Sequence, residues 1–385
     1  MKMRVVRVPC VVVVCLLASA ALVSAAEAAC PTVVEVCAVP NNPTASGDAL
    51  LAAVSGITGA SWGNRYLVKI GPGVFNVGTT TLQMVEWVDI EGSGREQTVI
   101  QGLGSIHGRP SMGDSDPAEG RASEFPGVIR GANHAELRDL QITAYGVKGI
   151  ENPIAILTED TTPRLSNLRI VAFGGAQCWG IRTYGGVGID IDNIDVSASC
   201  TGYNSGVTAK IGTSGPARIN LQHATIQSLG GNGQDVGVFL DNGAMPLRFE
   251  DVKISAGTEG AGVMLDNFHG YFDDQLEIVD STITTAGGKG IWAVVPVTIK
   301  VVRSKVDLSR VGILYDSAVA PGVVFIDQST VAGSDNTISG SYYALSHVYV
   351  GASQLAGGPV SATGAVLHCG GVYDENYVFS TRTCP

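Results

Sequence analysis

Three observations predict an all-β fold, a right-handed parallel β-helix (a solenoid) with a short N-terminal capping helix. The first is a device that recurs along most of the 385 residues. In Phe249-Glu250-Asp251-Val252-Lys253-Ile254, an apolar residue, two others, a small or apolar one and a polar one lead to Ile; a Gly-rich turn and a Gly-apolar restart follow. The last apolar residue of each copy is Ile142, Ile170, Val196, Ile226, Ile254, Ile283, Val306, Val331 and Leu355, at spacings of 28, 26, 30, 28, 29, 23, 25 and 24. Self-similarity at such a period marks stacked supersecondary units. The second is composition: fifty Gly, 15% charged residues and many Val, Ile and Thr favour short strands and tight turns over helices. The third is that each copy holds three short strands, as in the coil containing Gly237, Pro246 and Val252. Hexapeptide helices have too short a beat and propeller blades too long a one, and parallel crossovers are overwhelmingly right-handed.

In chain order, Lys2, Arg4 and Arg7 precede an apolar run and small residues ending at Ala26-Glu27-Ala28, the layout of a secretory signal peptide over residues 1–28. The expected destination is outside the cytoplasm: extracellular, periplasmic or cell-surface, with no transmembrane anchor after cleavage. Removing that segment takes away three positive charges and one negative, moving the net charge from -11 to -13. An acidic chain without a Lys/Arg cluster is a poor nucleic-acid binder. Six cysteines then remain, Cys30, Cys37, Cys178, Cys200, Cys369 and Cys384, which fall into three local pairs and suit an oxidising compartment. Cys178 and Cys200 both lie just before Gly restarts in neighbouring coils, where stacking brings Cα atoms to roughly 5 Å, so a bridge between adjacent turns is expected there.

An N-terminal cap is expected over residues 29–65. It contains one helix within residues 42–60, with Ser46 or Asp48 as N-cap and Leu50, Val54 and Ile57 on one face. Residues 103–125 break the pattern and read as a protruding loop. The β-helix is expected over residues 66–360, and a C-terminal cap pinned by Cys369 and Cys384 over 361–385.

The segments Ile70-Gly71-Pro72-Gly73-Val74-Phe75 and Val88-Asp89-Ile90-Glu91-Gly92-Ser93-Gly94, the latter running on to Thr98-Val99-Ile100-Gln101-Gly102, resemble the opening coils of pectin-lyase-like right-handed parallel β-helix proteins. The resemblance implies an exported protein that binds a sugar chain along one outer strand face. It transfers no catalytic residue. Phe268-His269-Gly270 and Asp273-Asp274 stand in the wrong order for a polygalacturonase, Ile299-Lys300 lacks the preceding Arg, and the strings of pectin methylesterases and pectate lyases are missing.

Aligning Gly180, Gly206, Gly237, Gly262, Gly290 and Gly312, with the next residue inward, sends the second and fourth residues outward. The second-position lane is Arg182, Thr208, Phe239, Met264, Trp292 and Leu314. The fourth is Tyr184, Lys210, Asp241, Asp266, Val294 and Asp316. One reading is a polysaccharide groove, with Arg182, Tyr184, Lys210, Phe239 and Trp292 contacting substrate; the other is that the apolar lane is covered as a second small core. Asp241, Asp266 and Asp316 are the catalytic candidates. Adjacent ionised carboxylates repel, and a bound cation such as calcium, a neighbouring Lys210 or a retained proton relieves this; the last is what general acid catalysis needs. Asp241-Asn242 and Asp266-Asn267 also fit ordinary strand-ending turns. Two function classes follow. One is a polysaccharide lyase or glycoside hydrolase; the other is a non-catalytic surface, adhesion or structural solenoid facing a cell-surface polymer. The enzyme requires a partly buried, perturbed acid, and the adhesin does not.

Overall fold

The computed structural model describes Val5–Val6 and residues 31–107, 127–147, 151–185, 188–210, 219–230, 235–241, 247–266, 275–317, 322–340, 345–362, 364–376 and 378–380. Most of the expected signal peptide, Cys30, Cys384 and the greater part of the 103–125 loop lie outside these residues. The chain winds into a parallel β-solenoid in which successive coils pair strand on strand.

The marker residues form one unbroken ladder. Ile142 pairs with Ile170, then Val196, Ile226, Ile254, Ile283, Val306, Val331 and Leu355. All are at most 3% exposed. A second inward ladder, Leu165, Ile191, Leu221, Phe249, Ile278, Val301, Ile326 and Val350, is buried to the same extent. Each large apolar side chain so removed from water contributes about 1.5–3 kcal/mol toward offsetting the entropy lost when the chain is ordered.

Between these ladders the strand turns a corner on a single left-handed residue. Asp139, Asn167, Asn193, His223, Asp251, Asp280, Arg303, Gln328 and Ala352 each stand three residues before a marker and have φ between 45° and 59°. Asn and Asp tolerate that conformation best. In the C-terminal half the corner carries a second device, a file of buried serines. The backbone N–H of Val252 donates to Ser281 Oγ (3.0 Å), that of Ser281 to Ser304 Oγ (3.0 Å), that of Ser304 to Ser329 Oγ (3.0 Å) and that of Ser329 to Ser353 Oγ (3.1 Å). The hydroxyls donate to carbonyls two residues upstream, so the corner leaves these polar groups paired.

The helix Pro43–Ser55 closes the N-terminal end, with Leu50 and Val54 buried. Its N-cap is Asn42, whose side chain accepts from Ala45 N (3.0 Å), with Pro43 in the first turn. Ser46 and Asp48, expected to cap, sit inside the helix. Ser46 is buried, its hydroxyl accepting from Val39 N and donating to Asn42 O. Gly47 lies against the strand Gly73–Gly78, where a Cβ would come 2.0 Å from the Asn76 carbonyl oxygen. The stack also starts before residue 66, because Thr32–Val36 pairs in parallel with Tyr66–Ile70. It continues past 360, because Val366–Gly370 pairs in parallel with Leu345–Gly351.

Cys178 and Cys200 are bridged, with Cα atoms 5.6 Å apart. Cys369 is disulfide-bonded. Cys37, expected in a bridge with Cys30, is a free and exposed thiol. With Val34 and Val36 inward and Glu35 exposed, the alternation along Thr32–Val36 sends the next residue to solvent.

Two stability outcomes follow. Ile254→Asp places an unpaired charge in the central ladder and costs several kcal/mol, so its cooperative thermal unfolding should be lost or shifted far below that of the wild type by circular dichroism. Reduction of Cys178–Cys200, which closes a separation of 22 residues, should lower stability by about 3 kcal/mol in denaturant titrations, and an unchanged midpoint contradicts that.

Candidate functional site

The outer face of the strands that begin at each restart carries both expected lanes in strict register. Arg182 pairs with Thr208, then Phe239, Met264, Trp292 and Leu314. Tyr184 pairs with Lys210, then Asp241 and Asp266. Val294 and Asp316 continue this lane just beyond the strand ends, bonded through their backbone N–H groups to Leu265 O and Ala293 O at 2.8 Å.

The lanes differ from the expectation in their exposure. Every residue of Cys178–Tyr184 is buried, so this strand is covered on both faces. Arg182 is 4% exposed and Phe239 5%, and neither is an open platform for a sugar ring. Phe239, Met264 and Tyr184 belong to a second apolar cluster with Ile154, Leu157, Trp179, Tyr203, Val236 and Ala261, and Trp292 and Val294 pack against its edge. From Leu157 to Met264 the apolar lane is therefore a second small core. The guanidinium of Arg182 lies over Trp179 (4.6 Å to the ring centroid) and Tyr184 (4.9 Å), so its charge is held against aromatic faces.

The polar lane stays reachable. Lys210 and Asp266 are half-buried, Trp292 and Leu314 likewise, and Asp316 is exposed. The Lys289 ammonium sits 4.2 Å from the Trp292 ring centroid; burial, then the charge of Arg310, lowers its pKa. Asp241 joins this group through its backbone pairing alone. Among the described residues no three His, Cys, Asp or Glu side chains are grouped to hold a metal ion.

Two functional groups on this face escape an alignment made on glycines. Ala155 stands where the later coils have Gly, because Ile154 pairs with Trp179 and Ile156 with Ile181. The same register puts Glu159 beside Tyr184 in the polar lane, and Arg130 next to Leu157 in the other. Ala155-Ile156-Leu157-Thr158-Glu159 reads as a small-apolar restart, and that was the available signal. Arg130 and Glu159 form an ion pair. Burial is the largest influence on the Glu159 carboxyl and pushes its pKa above the ordinary value, while the Arg130 guanidinium pulls it down. Among the described residues Asp235, buried on the strand Asp235–Asp241, is the other carboxyl whose pKa burial raises.

No family model and no curated protein matches the sequence. Among solved structures the chain is similar to the A-module of Azotobacter vinelandii mannuronan C-5 epimerase AlgE4, at 12% identity over 84% of this chain and 93% of that one, with a TM-score of 0.50. The A-module of the AlgE6 epimerase from the same organism is similar at 11% identity, over 88% and 96%, also with a TM-score of 0.50. The fold is the pectin-lyase-like right-handed parallel β-helix. The strand, Pro-Gly and Gly-Ser-Gly segments singled out at its start lie in and between the strands Tyr66–Ile70, Gly73–Gly78 and Val88–Glu91 and in the turn after them. Among the described residues no helix is long and apolar enough to cross a membrane.

The Glu159 pair gives a test with a definite sign. A folded-state pKa above the unfolded value means that Glu159 contributes stability below the ordinary Glu pKa and loses it as pH rises through its folded pKa. Arg130→Ala removes the group that holds the pKa down, so the Glu159 carboxyl resonance should titrate at higher pH than in wild type. A lower or unchanged midpoint contradicts the assignment.

Proposed function

We propose that this is an exported protein that binds an extended polysaccharide along the face carrying Glu159, Lys210, Asp266 and Asp316, and that processes it there as a lyase or glycoside hydrolase. The observation that carries the reading is the register of that polar lane. Its positions repeat at the coil spacing of roughly 4.8 Å, close to the length of a sugar unit, so one polymer lying along the rod passes a lane position on each successive coil. Lys210 and Lys289 offer positive charge to acidic sugars, and the half-buried Trp292 edge offers an apolar surface to a pyranose ring.

Glu159 is the acid of choice, since burial raises its pKa above the ordinary carboxyl value, the direction that general acid catalysis needs. Asp266 and Asp316, two coils apart, supply the partner carboxyl groups, and Asp241 extends that column by its place in the register. A calcium ion shared between such carboxylates and an acidic sugar is the cofactor this arrangement would take. The mannuronan named for the epimerases is itself a polysaccharide, which supports the ligand class. The non-catalytic reading is favoured by one observation, the second core under the middle of the lane, which makes that stretch a wall and not a cleft.

The test is a screen of the mature chain, with the Cys178–Cys200 bridge intact, on acidic and neutral polysaccharides. Reducing ends and 4,5-unsaturated products are read with and without calcium. Retention together with product formation is expected, Lys210→Ala and Asp266→Asn should each weaken binding about tenfold, or about 1.4 kcal/mol, and Glu159→Gln should abolish turnover while leaving retention in place. Retention without product establishes the adhesin class, and no retention on any polymer overturns the proposal.

A further inference from the structure

A second surface stands at the N-terminal end of the same face, built on a corner of the first coils. Trp87 comes four residues after Gln83 and His134 four residues after Arg130, and Gln83 and Arg130 pair with each other. The corner therefore follows directly from the strands that begin the lane. Trp87 and His134 stack with centroids 4.0 Å apart and rings 10° from parallel, and the Arg65 guanidinium lies 5.7 Å from the centroid of the Trp87 ring. One face of Trp87 is thus spent on His134.

Trp62 is different. It meets Trp87 edge-on, at 5.6 Å and 81°, and is 74% exposed, the most exposed large apolar side chain among the described residues. Its backbone is fixed: Ser61 and Asn64 exchange both N–H···O bonds, at 3.1 and 3.0 Å, and the Asn64 side chain donates to Gly59 O. Trp87 and His134 both hold φ near +60°, at 63° and 55°. For a residue as bulky as Trp that conformation is costly, and such strain is retained where the surroundings over-determine it and collects at ligand sites.

We infer that Trp62 is a saccharide-stacking site, distinct from the polar lane and placed to hold the part of a polymer that extends beyond its Arg130 end. A pyranose ring has one apolar C–H face and a rim of hydroxyls. A largely exposed indole, carried on a hydrogen-bonded turn and held against Trp87, matches the first. Glu86, Asp89 and His134, gathered around the stack by contacts of Arg65 with Asp89 (3.4 Å) and of His134 with Glu86 (3.9 Å), match the second. Continuity with the lane argues for a sugar chain over a protein partner. The inference rests on the polysaccharide reading for its ligand class.

Native affinity electrophoresis of the mature chain through gels containing alginate, polygalacturonate or a soluble glucan separates the two claims. Trp62→Ala should reduce retardation about tenfold in the gel that holds the wild type, Trp62→Phe should keep most of it, and both should melt like the wild type because the side chain lies outside the core. Retardation of Trp62→Ala equal to wild type, with Lys210→Ala and Asp266→Asn weakened, overturns the Trp62 site and leaves the lane. The reverse pattern upholds the Trp62 site and removes the lane, and no retardation of the wild type overturns both. Acrylamide quenching, read as the difference between wild type and Trp62→Ala, should show an open indole without sugar and a shielded one with it. Shielding in the absence of sugar means that another part of the chain covers Trp62 and overturns the inference.

Discussion

A column of glycines sets the architecture, because each coil has room for one layer of large side chains and the marker residue must reach across it. A Cβ on Gly180 would stand 2.3 Å from Val196 Cγ1, and on Gly206, Gly237, Gly262 and Gly290 it would stand 2.2 Å from Ile226, Ile254, Ile283 and Val306. On Gly312 the distance to Val331 is 2.7 Å. These overlaps are far inside van der Waals contact, so the markers nest against backbone and the opposite strand is drawn close. The restart strands are pinned in register by that nesting, and the lanes on their outer face inherit it. The function proposed for the face thus depends on residues with no side chain at all.

The corners show how different chemistry satisfies one backbone requirement. Asp139, Asn167, Asn193, Asp251 and Asp280 are residues that enter the left-handed region at little cost, but Arg303, Gln328 and Ala352 occupy the same place with φ of 46°, 49° and 45°. Their neighbours Ser304, Ser329 and Ser353 belong to the buried serine file, whose bonds tie one corner to the next. Where the corner residue brings no local preference, hydrogen bonds between coils hold the bend. Local propensity is overridden by the stack, as expected when each coil is stabilised mainly by its neighbours.

The ladder of Ile, Val and Leu was legible because it is a repeat, and a period survives any uncertainty about single residues. The Cys178–Cys200 bridge was legible for the same reason: two positions one coil apart must be close. Exposure was not legible. The period of two says that Arg182, Phe239 and Met264 leave the central core, but whether they then meet water or a second apolar cluster depends on packing from outside the strand. Glu159 was hidden by one substitution, Ala155 in the glycine column, which removed the landmark and not the register. The helix cap at Asn42 was missed because Ser46, a good cap by type, is used instead as a buried hydroxyl bridging Val39 and Asn42.

One rival surface gives the decisive contrast. Elsewhere on the solenoid Phe325, Tyr349 and His368 stack at 4.8 and 4.4 Å, nearly parallel, so both faces of Tyr349 are spent on its neighbours. Hydroxyl-radical footprinting of the mature protein, with and without the polysaccharide that retains it, reads both surfaces in one measurement. The account predicts that bound polymer protects Trp292 and Leu314 from oxidation and leaves Phe325 and Tyr349 unchanged. Protection of Phe325 and Tyr349 with Trp292 unaltered would contradict it.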